Sequence, residues 1–192
     1  MKGQRAKGRG QRELGGGRSK GRTPTCLAVL LVTIATLLLP VAADAQQLVI
    51  FVRHGERADG GAGTDTMTAK PADPSLSEAG HARAAKLAAT LADAGIKAIY
   101  ATEFKRTQET AKPLADKLQL TVQTMPSGDA AALVAKVKAD HPKDIVLVIG
   151  HSNTLPAAIK AFGGPDVKRD DSDYGAIYIL APASGALTRI RY

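Results

Sequence analysis

The sequence LVIFVRHGE, residues 48–56, combines an apolar run with charged side chains at its end. Five apolar residues in succession are typical of a strand that is buried on both faces. Arg53 and His54 follow this strand, and a glycine turn comes next. Residues 145–153, IVLVIGHSN, repeat the arrangement with His151. Because open α/β sheets bind ligands at the carboxyl ends of their strands, we expect the two histidines to share one cleft.

Apolar runs and stretches of helical periodicity alternate from residue 48 to the end of the chain. This alternation predicts a three-layer α/β/α fold with a mostly parallel central sheet. A short connection, residues 182–186, separates the last two predicted strands, which are therefore expected to form an antiparallel hairpin. The predicted strands are residues 48–52, 98–102, 121–125, 145–150, 176–181 and 187–192.

Four helices are predicted between these strands. Ser77 is expected to cap the first helix, and Gly163 and Gly164 to end the fourth. The second helix contains Pro113, which predicts a break or a kink. In the third helix, which begins near Asp129, we expect Ala132, Val134 and Val137 to face the sheet. The second, third and fourth helices are predicted at residues 105–118, 129–139 and 154–162.

The positive charge of the chain is concentrated at its N-terminus. The formal net charge is +8, but residues 46–192 hold 18 Lys and Arg against 16 Asp and Glu. Residues 1–25 hold eight Lys and Arg against a single Glu. The predicted folded part is nearly neutral, and we expect it to bind no nucleic acid.

Residues 1–45 have the organisation of an export signal. The basic leader is followed by the apolar stretch CLAVLLVTIATLLL, residues 26–39, and then by Ala43 and Ala45 at the small-residue positions of a cleavage site. We expect cleavage after Ala45, which gives a mature domain of residues 46–192 in the periplasm or the medium. The alternative is an uncleaved signal anchor, which would be the only membrane contact and would leave the domain outside. Cleavage would remove Cys26, the single cysteine, and with it disulfide and thiol chemistry.

Four motifs of the mature chain resemble those of the histidine phosphatase superfamily, the clan of phosphoglycerate mutase-like and histidine acid phosphatases. They are VRHGE (52–56), LSEAGHARA (76–84), ATEFKRTQETA (101–111) and VIGHSNTLPA (148–157), in the order of the family. The resemblance covers nearly the whole of residues 46–192. It implies a phosphoglycerate mutase-like fold and a small phosphorylated substrate.

The resemblance also implies a role for each matching residue. His54 matches the nucleophile that becomes a phosphohistidine, with its second ring nitrogen held by a neighbour such as a backbone carbonyl. Arg53 and Arg106 match the arginines that clamp the phosphate, and His151 matches the second histidine, which hydrogen-bonds the phosphoryl group. Because arginines and a histidine balance the charge, no metal or other cofactor is expected.

The proton donor for the leaving group is harder to assign. Many family members carry a carboxylate on an insertion between the second arginine and the second histidine, but only 44 residues separate Arg106 from His151 here. Asp129 is the candidate, with a helix N-cap as its structural alternative. Glu56 and Glu103 are weaker alternatives.

Two other groups of carboxylates were weighed as metal sites. Glu56 and Asp59 lie closest in sequence to His54, but they lack a clear ligand spacing. The acidic cluster Asp166, Asp170, Asp171 and Asp173 lacks the regular spacing of calcium ligands. We expect this cluster to be a solvated loop.

The sequence therefore predicts an exported phosphatase that hydrolyses phosphate monoesters or related phospho-compounds through His54. One alternative is a phosphoryl transfer of the phosphoglycerate mutase type, which would require a lid over the intermediate. A second alternative is a catalytically silent module that binds phosphorylated ligands in the same pocket.

Overall fold

The computed structural model describes residues 47–60 and 73–192. Ten elements of secondary structure alternate along these residues. The strands are β1 (Leu48–Arg53), β2 (Ile96–Thr102), β3 (Val122–Met125), β4 (Ile145–Gly150), β5 (Ala176–Ala181) and β6 (Ala186–Arg191). The helices are α1 (Glu78–Leu91), α2 (Lys105–Leu118), α3 (Ala130–Asp140) and α4 (Leu155–Ala161).

The six strands form one sheet in the order β3-β2-β4-β1-β5-β6. The pairs β1–β4, β2–β4 and β2–β3 are parallel. β5 pairs antiparallel with both β1 and β6. The predicted mostly parallel sheet and the C-terminal antiparallel hairpin are therefore confirmed.

The helices cover the two faces of the sheet and give the predicted three layers. On one face, α1 and α2 bury Leu87, Leu91 and Leu114 against the sheet. On the other face, α3 and α4 bury Leu133, Val137 and Ile159. The apolar runs of β1 and β4 lie between these layers, which explains why they lack the polar alternation of a half-exposed strand.

One prediction about the helices is wrong and another holds in part. α2 runs without a break through Pro113, where a break or a kink was expected. Its apolar side chains are buried against the sheet and α1, and this packing offsets the loss of one helical hydrogen bond. In α3, Val137 is buried and Val134 packs against the core as predicted, but Leu133 is the second buried residue and Ala132 is half-buried. The buried pair is four residues apart and so lies on one face of the helix.

The N-terminus of α1 lies directly against the turn that follows β1. Ser77 caps the helix as predicted, and its side chain accepts a hydrogen bond from the backbone N–H of Gly80. A Cβ atom at Gly80 would lie 2.3 Å from the backbone oxygen of Glu56, and one at Gly55 would lie 2.8 Å from the backbone oxygen of Gly80. Both positions therefore need glycine so that the helix can reach the residues beside His54.

Replacing Gly80 with Ala is expected to destabilise the protein by about 3 kcal/mol, because the added methyl group forces two backbone segments apart. In an exposed helix, the same change would stabilise by about 1 kcal/mol. Thermal unfolding followed by circular dichroism measures the effect. Ala79→Gly, at the exposed neighbouring position, is the control, and it should cost about 1 kcal/mol. A Gly80→Ala variant more stable than the parent would contradict the close packing.

The predicted leader and export signal, residues 1–45, lie outside the described residues, as do residues 61–72 of the segment that follows β1. Within the part of the chain that the structure describes, no helix combines the length and the apolar character needed to cross a membrane.

Candidate active site

The sheet places the two predicted histidines side by side. β1 and β4 are adjacent parallel strands in which Arg53 pairs with Gly150, so His54 and His151 follow them at the same level. The backbone N–H of His54 donates to the oxygen of Gly150 at 3.0 Å. The centroids of the two imidazole rings are 5.1 Å apart, and both residues are buried.

A backbone contact fixes the tautomer of His54. Its Nδ1 lies 2.7 Å from the carbonyl oxygen of Gly55. Because a carbonyl oxygen only accepts hydrogen bonds, Nδ1 carries the proton and donates it. In the neutral ring, the lone pair therefore lies on Nε2, which is the nitrogen available to attack an electrophile.

Arg106 reaches the histidines from the first turn of α2. Its Nη2 lies 3.3 Å from Nδ1 of His151, and its guanidinium group stacks on Phe104 at 4.4 Å from the ring centroid. Asp73 lies on its other side, with Oδ1 3.7 Å from Nη1. The same oxygen accepts the backbone N–H of Lys105 and so holds the start of α2. The guanidinium plane is thus held between a ring and a carboxylate.

The segment between α4 and β5 holds Arg53. Its Nη1 donates to the backbone oxygen of Asp171 at 2.5 Å, and its Nη2 donates to the hydroxyl of Tyr174 at 3.1 Å. The guanidinium carbon lies 3.8 Å from the centroid of the Tyr174 ring. That ring also lies beside His54, with 6.1 Å between centroids. Tyr174 therefore connects an arginine of the site to the predicted nucleophile.

The prediction that the acidic cluster is a solvated loop is wrong for one of its members. Asp173 is buried and pairs with Arg189 and Arg191 of β6. Contacts with the C-terminal hairpin bring this carboxylate in from the solvent, which its local sequence does not indicate. Asp171 is exposed as predicted, but it accepts from Arg169 and from Ser152, which directly follows His151, and these hydrogen bonds lower the pKa of its carboxyl group.

Two hydroxyl groups fix the orientation of His151. Thr107 Oγ1 lies 2.7 Å from the oxygen of Phe104 and 3.0 Å from that of Thr102, so its proton goes to a carbonyl. Thr102 Oγ1, 2.9 Å from Thr107 Oγ1, must then donate to it. The same Thr102 oxygen lies 2.9 Å from Nε2 of His151, and it can only accept there. Nε2 of His151 therefore carries a proton, and Nδ1 faces Arg106.

Replacing Thr102 with Val removes the acceptor for the Nε2 proton while keeping the volume of the side chain. We expect phosphoester turnover to fall about tenfold, the cost of one buried hydrogen bond. Steady-state kinetics measures this effect. Thr102→Ser retains the hydroxyl and should restore the rate, whereas turnover of Thr102→Val equal to that of the parent would contradict the orienting role.

The site has the charge of an anion-binding pocket. Arg53 and Arg106 are 8 % and 3 % exposed, and the hydrogen bonds of Arg53 go to a carbonyl and a phenol oxygen. Arg106 pairs with Asp73, whose side chain is about one-third exposed. Two buried guanidinium groups beside two imidazole rings suit a phosphate group, whose oxygens match guanidinium geometry.

The predicted proton donor lies at the start of α3. Asp129 is exposed and caps this helix, accepting from the backbone N–H of Ala132 at 2.9 Å. Glu103 accepts from the backbone and side chain of Ser127. Of the three candidate acids, Asp129 and Glu103 thus lie at the carboxyl ends of β3 and β2, and both are engaged in loop structure.

The carboxylates next to His54 are held by arginines. Glu56 accepts from Arg83 of α1, and this hydrogen bond lowers the pKa of Glu56. Asp59 pairs with Arg57. Over residues 47–60 and 73–192, no group of three or more His, Cys, Asp and Glu side chains is arranged to hold a metal ion.

Several residues of the site give no signal in the sequence. Phe104, Tyr174 and Asp73 lie on loops, and they reach the arginines only after the chain has folded. Thr110 and Gln108, which follow Arg106 on α2, bind backbone atoms: Thr110 accepts from the N–H of Gly55 and donates to the oxygen of Arg106, and Gln108 donates to the oxygen of Thr102.

The chain was compared with known families and structures. The model of the histidine phosphatase superfamily, branch 1, matches residues 49–127, which include Arg53, His54 and Arg106. The comparison with curated protein sequences gives no match.

Solved structures with the same fold are numerous. The protein histidine phosphatase SixA complexed with tungstate is 22% identical, with a TM-score of 0.55, and the match covers 74% of this chain and 94% of that one. A mycobacterial glucosyl-3-phosphoglycerate phosphatase in complexes with VO3 is 16% identical, with a TM-score of 0.56 and coverages of 75% and 96%. Phosphoserine phosphatase from Entamoeba histolytica with 3-phosphoglyceric acid is also 16% identical, with a TM-score of 0.54 and coverages of 74% and 94%. These likenesses concern the fold.

Proposed function

Because the chain belongs to the histidine phosphatase superfamily, we propose that it hydrolyses phosphate monoesters through a phosphohistidine on His54. The observation that carries this proposal is the convergence of four buried side chains. The rings of His54 and His151 are 5.1 Å apart, and Arg106 lies 3.3 Å from His151. Arg53 reaches the same place through Tyr174, which contacts both Arg53 and His54.

In the first step, the Nε2 lone pair of His54 attacks the phosphorus atom and the bond from phosphorus to the ester oxygen breaks. The hydrogen bond from Nδ1 to Gly55 stabilises the positive charge that develops on the ring. Arg53 and Arg106 bind the phosphoryl oxygens. We propose that the bound phosphoryl group displaces the contact between Arg106 and Nδ1 of His151, so that His151 takes up a proton at Nδ1 and donates one N–H to Thr102 and the other to the phosphoryl group.

The leaving oxygen needs a proton, and Asp129 is the residue that we propose for this role. Its side chain is exposed at the end of β3, on the edge of the sheet where the histidines lie. In the second step, water attacks the phosphorus atom of the phosphohistidine and the bond from phosphorus to Nε2 breaks. Asp129 takes up the proton of the water, orthophosphate leaves, and neutral His54 and protonated Asp129 are restored. Arginine and histidine donors supply the charge stabilisation in both steps, so we propose that the reaction requires no metal ion.

The test is to trap the intermediate. The full-length chain is mixed with a radiolabelled phosphate monoester and quenched during turnover, and the labelled protein is then exposed to acid and to base. We expect label that is lost in acid and retained in base, as for a phosphoramidate, together with release of orthophosphate. Transfer of the label to a neighbouring hydroxyl of phosphoglycerate would instead indicate a mutase. Binding of phosphate esters without label or turnover would indicate the silent binding module.

We further propose that the domain is exported. Support comes from the sequence of residues 1–45, in which a basic leader, an apolar stretch and the Ala43–Ala45 pattern succeed each other. The expected product is a chain that begins at Gln46 and is recovered outside the cytoplasm. Fractionation of expressing cells, followed by N-terminal sequencing, tests this. A membrane-bound product that retains residues 1–45 would indicate the signal anchor.

A further inference from the structure

A cavity of about 220 Å³ lies in the layer between the sheet and helices α3 and α4. Its walls are largely apolar and come from three strands and both helices. Six of the side chains that line it are those of Tyr100, Met125, Leu133, Val148, Leu155 and Ala158. These residues are part of, or packed against, the hydrophobic core on this face.

The cavity adjoins the candidate active site at the carboxyl ends of the strands. Gly150 and Asn153, which precede and follow His151 closely in sequence, line it. Thr102 lines it as well, and its hydroxyl lies 2.9 Å from His151. Thr102 therefore borders the cavity and also contacts a histidine that is proposed to hold the phosphoryl group.

Four polar residues of the cavity lie at this same end. They are Thr102, Asp129, Asn153 and Thr154, at the ends of β2, β3 and β4. Tyr100, whose hydroxyl is buried, lines the cavity farther along β2. Asp129 is the proposed proton donor, so the residue that would protonate a leaving oxygen borders the cavity. The apolar walls begin on the far side of these groups, between the sheet and the helices.

The charges of the cavity select against anionic ligands. Among the described residues that line it there is no Lys, Arg or His, and Asp129 is the one charged side chain. An organic group that carries a carboxylate or a second phosphate would find no cation here and would be repelled by Asp129. An uncharged apolar group would instead gain from leaving water.

The volume sets the size of the group that fits. A cavity of about 150 Å³ with apolar walls holds one benzene ring, while sites for drug-sized molecules begin near about 300 Å³. A cavity of about 220 Å³ therefore accommodates one aromatic ring with its linking methylene, or a branched chain of similar size.

From these observations we infer that the cavity binds the organic part of the substrate and that the substrates are phosphate monoesters of small, uncharged, apolar alcohols. This inference rests on the proposed function, because it places the phosphate group at His54 and the rest of the ester in the cavity. Phosphate esters of glycerate and of other alcohols that carry a carboxylate are expected to be poor substrates for this enzyme.

The test compares two esters of primary alcohols, benzyl phosphate and glycerol 1-phosphate, with the full-length chain. We expect kcat/KM to be at least tenfold higher for benzyl phosphate. Ala158→Phe fills the cavity and should lower this ratio at least tenfold. If Ala158→Phe fails to fold, Ala158→Leu, which adds a smaller side chain, is used in its place. Ala161→Phe adds the same ring to the exposed end of the same helix and should leave the ratio unchanged.

A binding experiment separates this inference from the proposed function. Benzyl alcohol, which carries no phosphate, is titrated into the His54→Ala variant and followed by NMR. We expect saturable shifts at Leu133 and Leu155 that disappear when Ala158→Phe is added. Such shifts without turnover of any ester would support the apolar ligand and overturn only the phosphatase. An absence of shifts, or a kinetic ratio that Ala158→Phe does not change, would overturn the cavity assignment.

Discussion

Replacing His54 with Ala is expected to reduce phosphoester turnover by about 10⁴-fold or more, because the covalent step loses its proposed nucleophile. The Nδ1 contact with Gly55 leaves the lone pair of the neutral His54 ring on Nε2, whereas Nδ1 of His151 faces Arg106. Radiolabel trapping should show no phosphoprotein in the variant. The free energy of unfolding, measured by calorimetry, should change little. The loss of turnover measured by kinetics can then be assigned to the chemical step.

The control for this experiment is His81→Ala. His81 lies exposed on α1, and its removal should leave turnover and trapping unchanged. Turnover of His54→Ala within tenfold of the parent, with phosphoprotein still formed, would assign the nucleophile to another residue.

Replacing Arg106 with Ala should lower kcat by about 10²–10³-fold, the usual effect of removing one donor to transition-state charge. Its stacking on Phe104 and its contact with His151 hold the guanidinium plane in place. Arg106→Lys should recover little of this loss, since a single ammonium group cannot bind two phosphoryl oxygens in the same plane.

Lys112→Ala provides the matched control, because Lys112 is an exposed cation of the same helix that pairs with Asp116. Its rate should equal that of the parent. If Arg106→Lys were as active as the parent, a simple positive charge would be sufficient and the bidentate clamp would be wrong. Rates are measured at saturating substrate, and circular dichroism confirms that each variant is folded.

The strands could be predicted from the sequence because burial on both faces leaves a continuous apolar run, as in residues 48–52 and 145–150. β4 and β5 match their predicted residues, and the other strands differ by one or two residues at an end. The course of α2 through Pro113 was not predictable from local rules, because the packing of Leu114 and its neighbours offsets the cost of proline.

The four central residues of the site could also be predicted, since Arg53, His54 and His151 lie at the ends of buried strands and Arg106 lies in the first turn of a helix. The residues that hold these four side chains in place could not be predicted. Tyr174 and Asp73 are distant in sequence from the arginines that they contact, and nothing in their local sequence indicates those contacts. Asp129 caps α3, as its structural alternative predicted. Its role as a proton donor stays a prediction.

The pairing of Asp173 with Arg189 and Arg191 means that β6 braces the segment that carries Tyr174. Tyr174 in turn holds Arg53. A substitution or deletion that disturbed β6, at the edge of the sheet, would thus loosen the hold on Arg53 without touching any residue that contacts it.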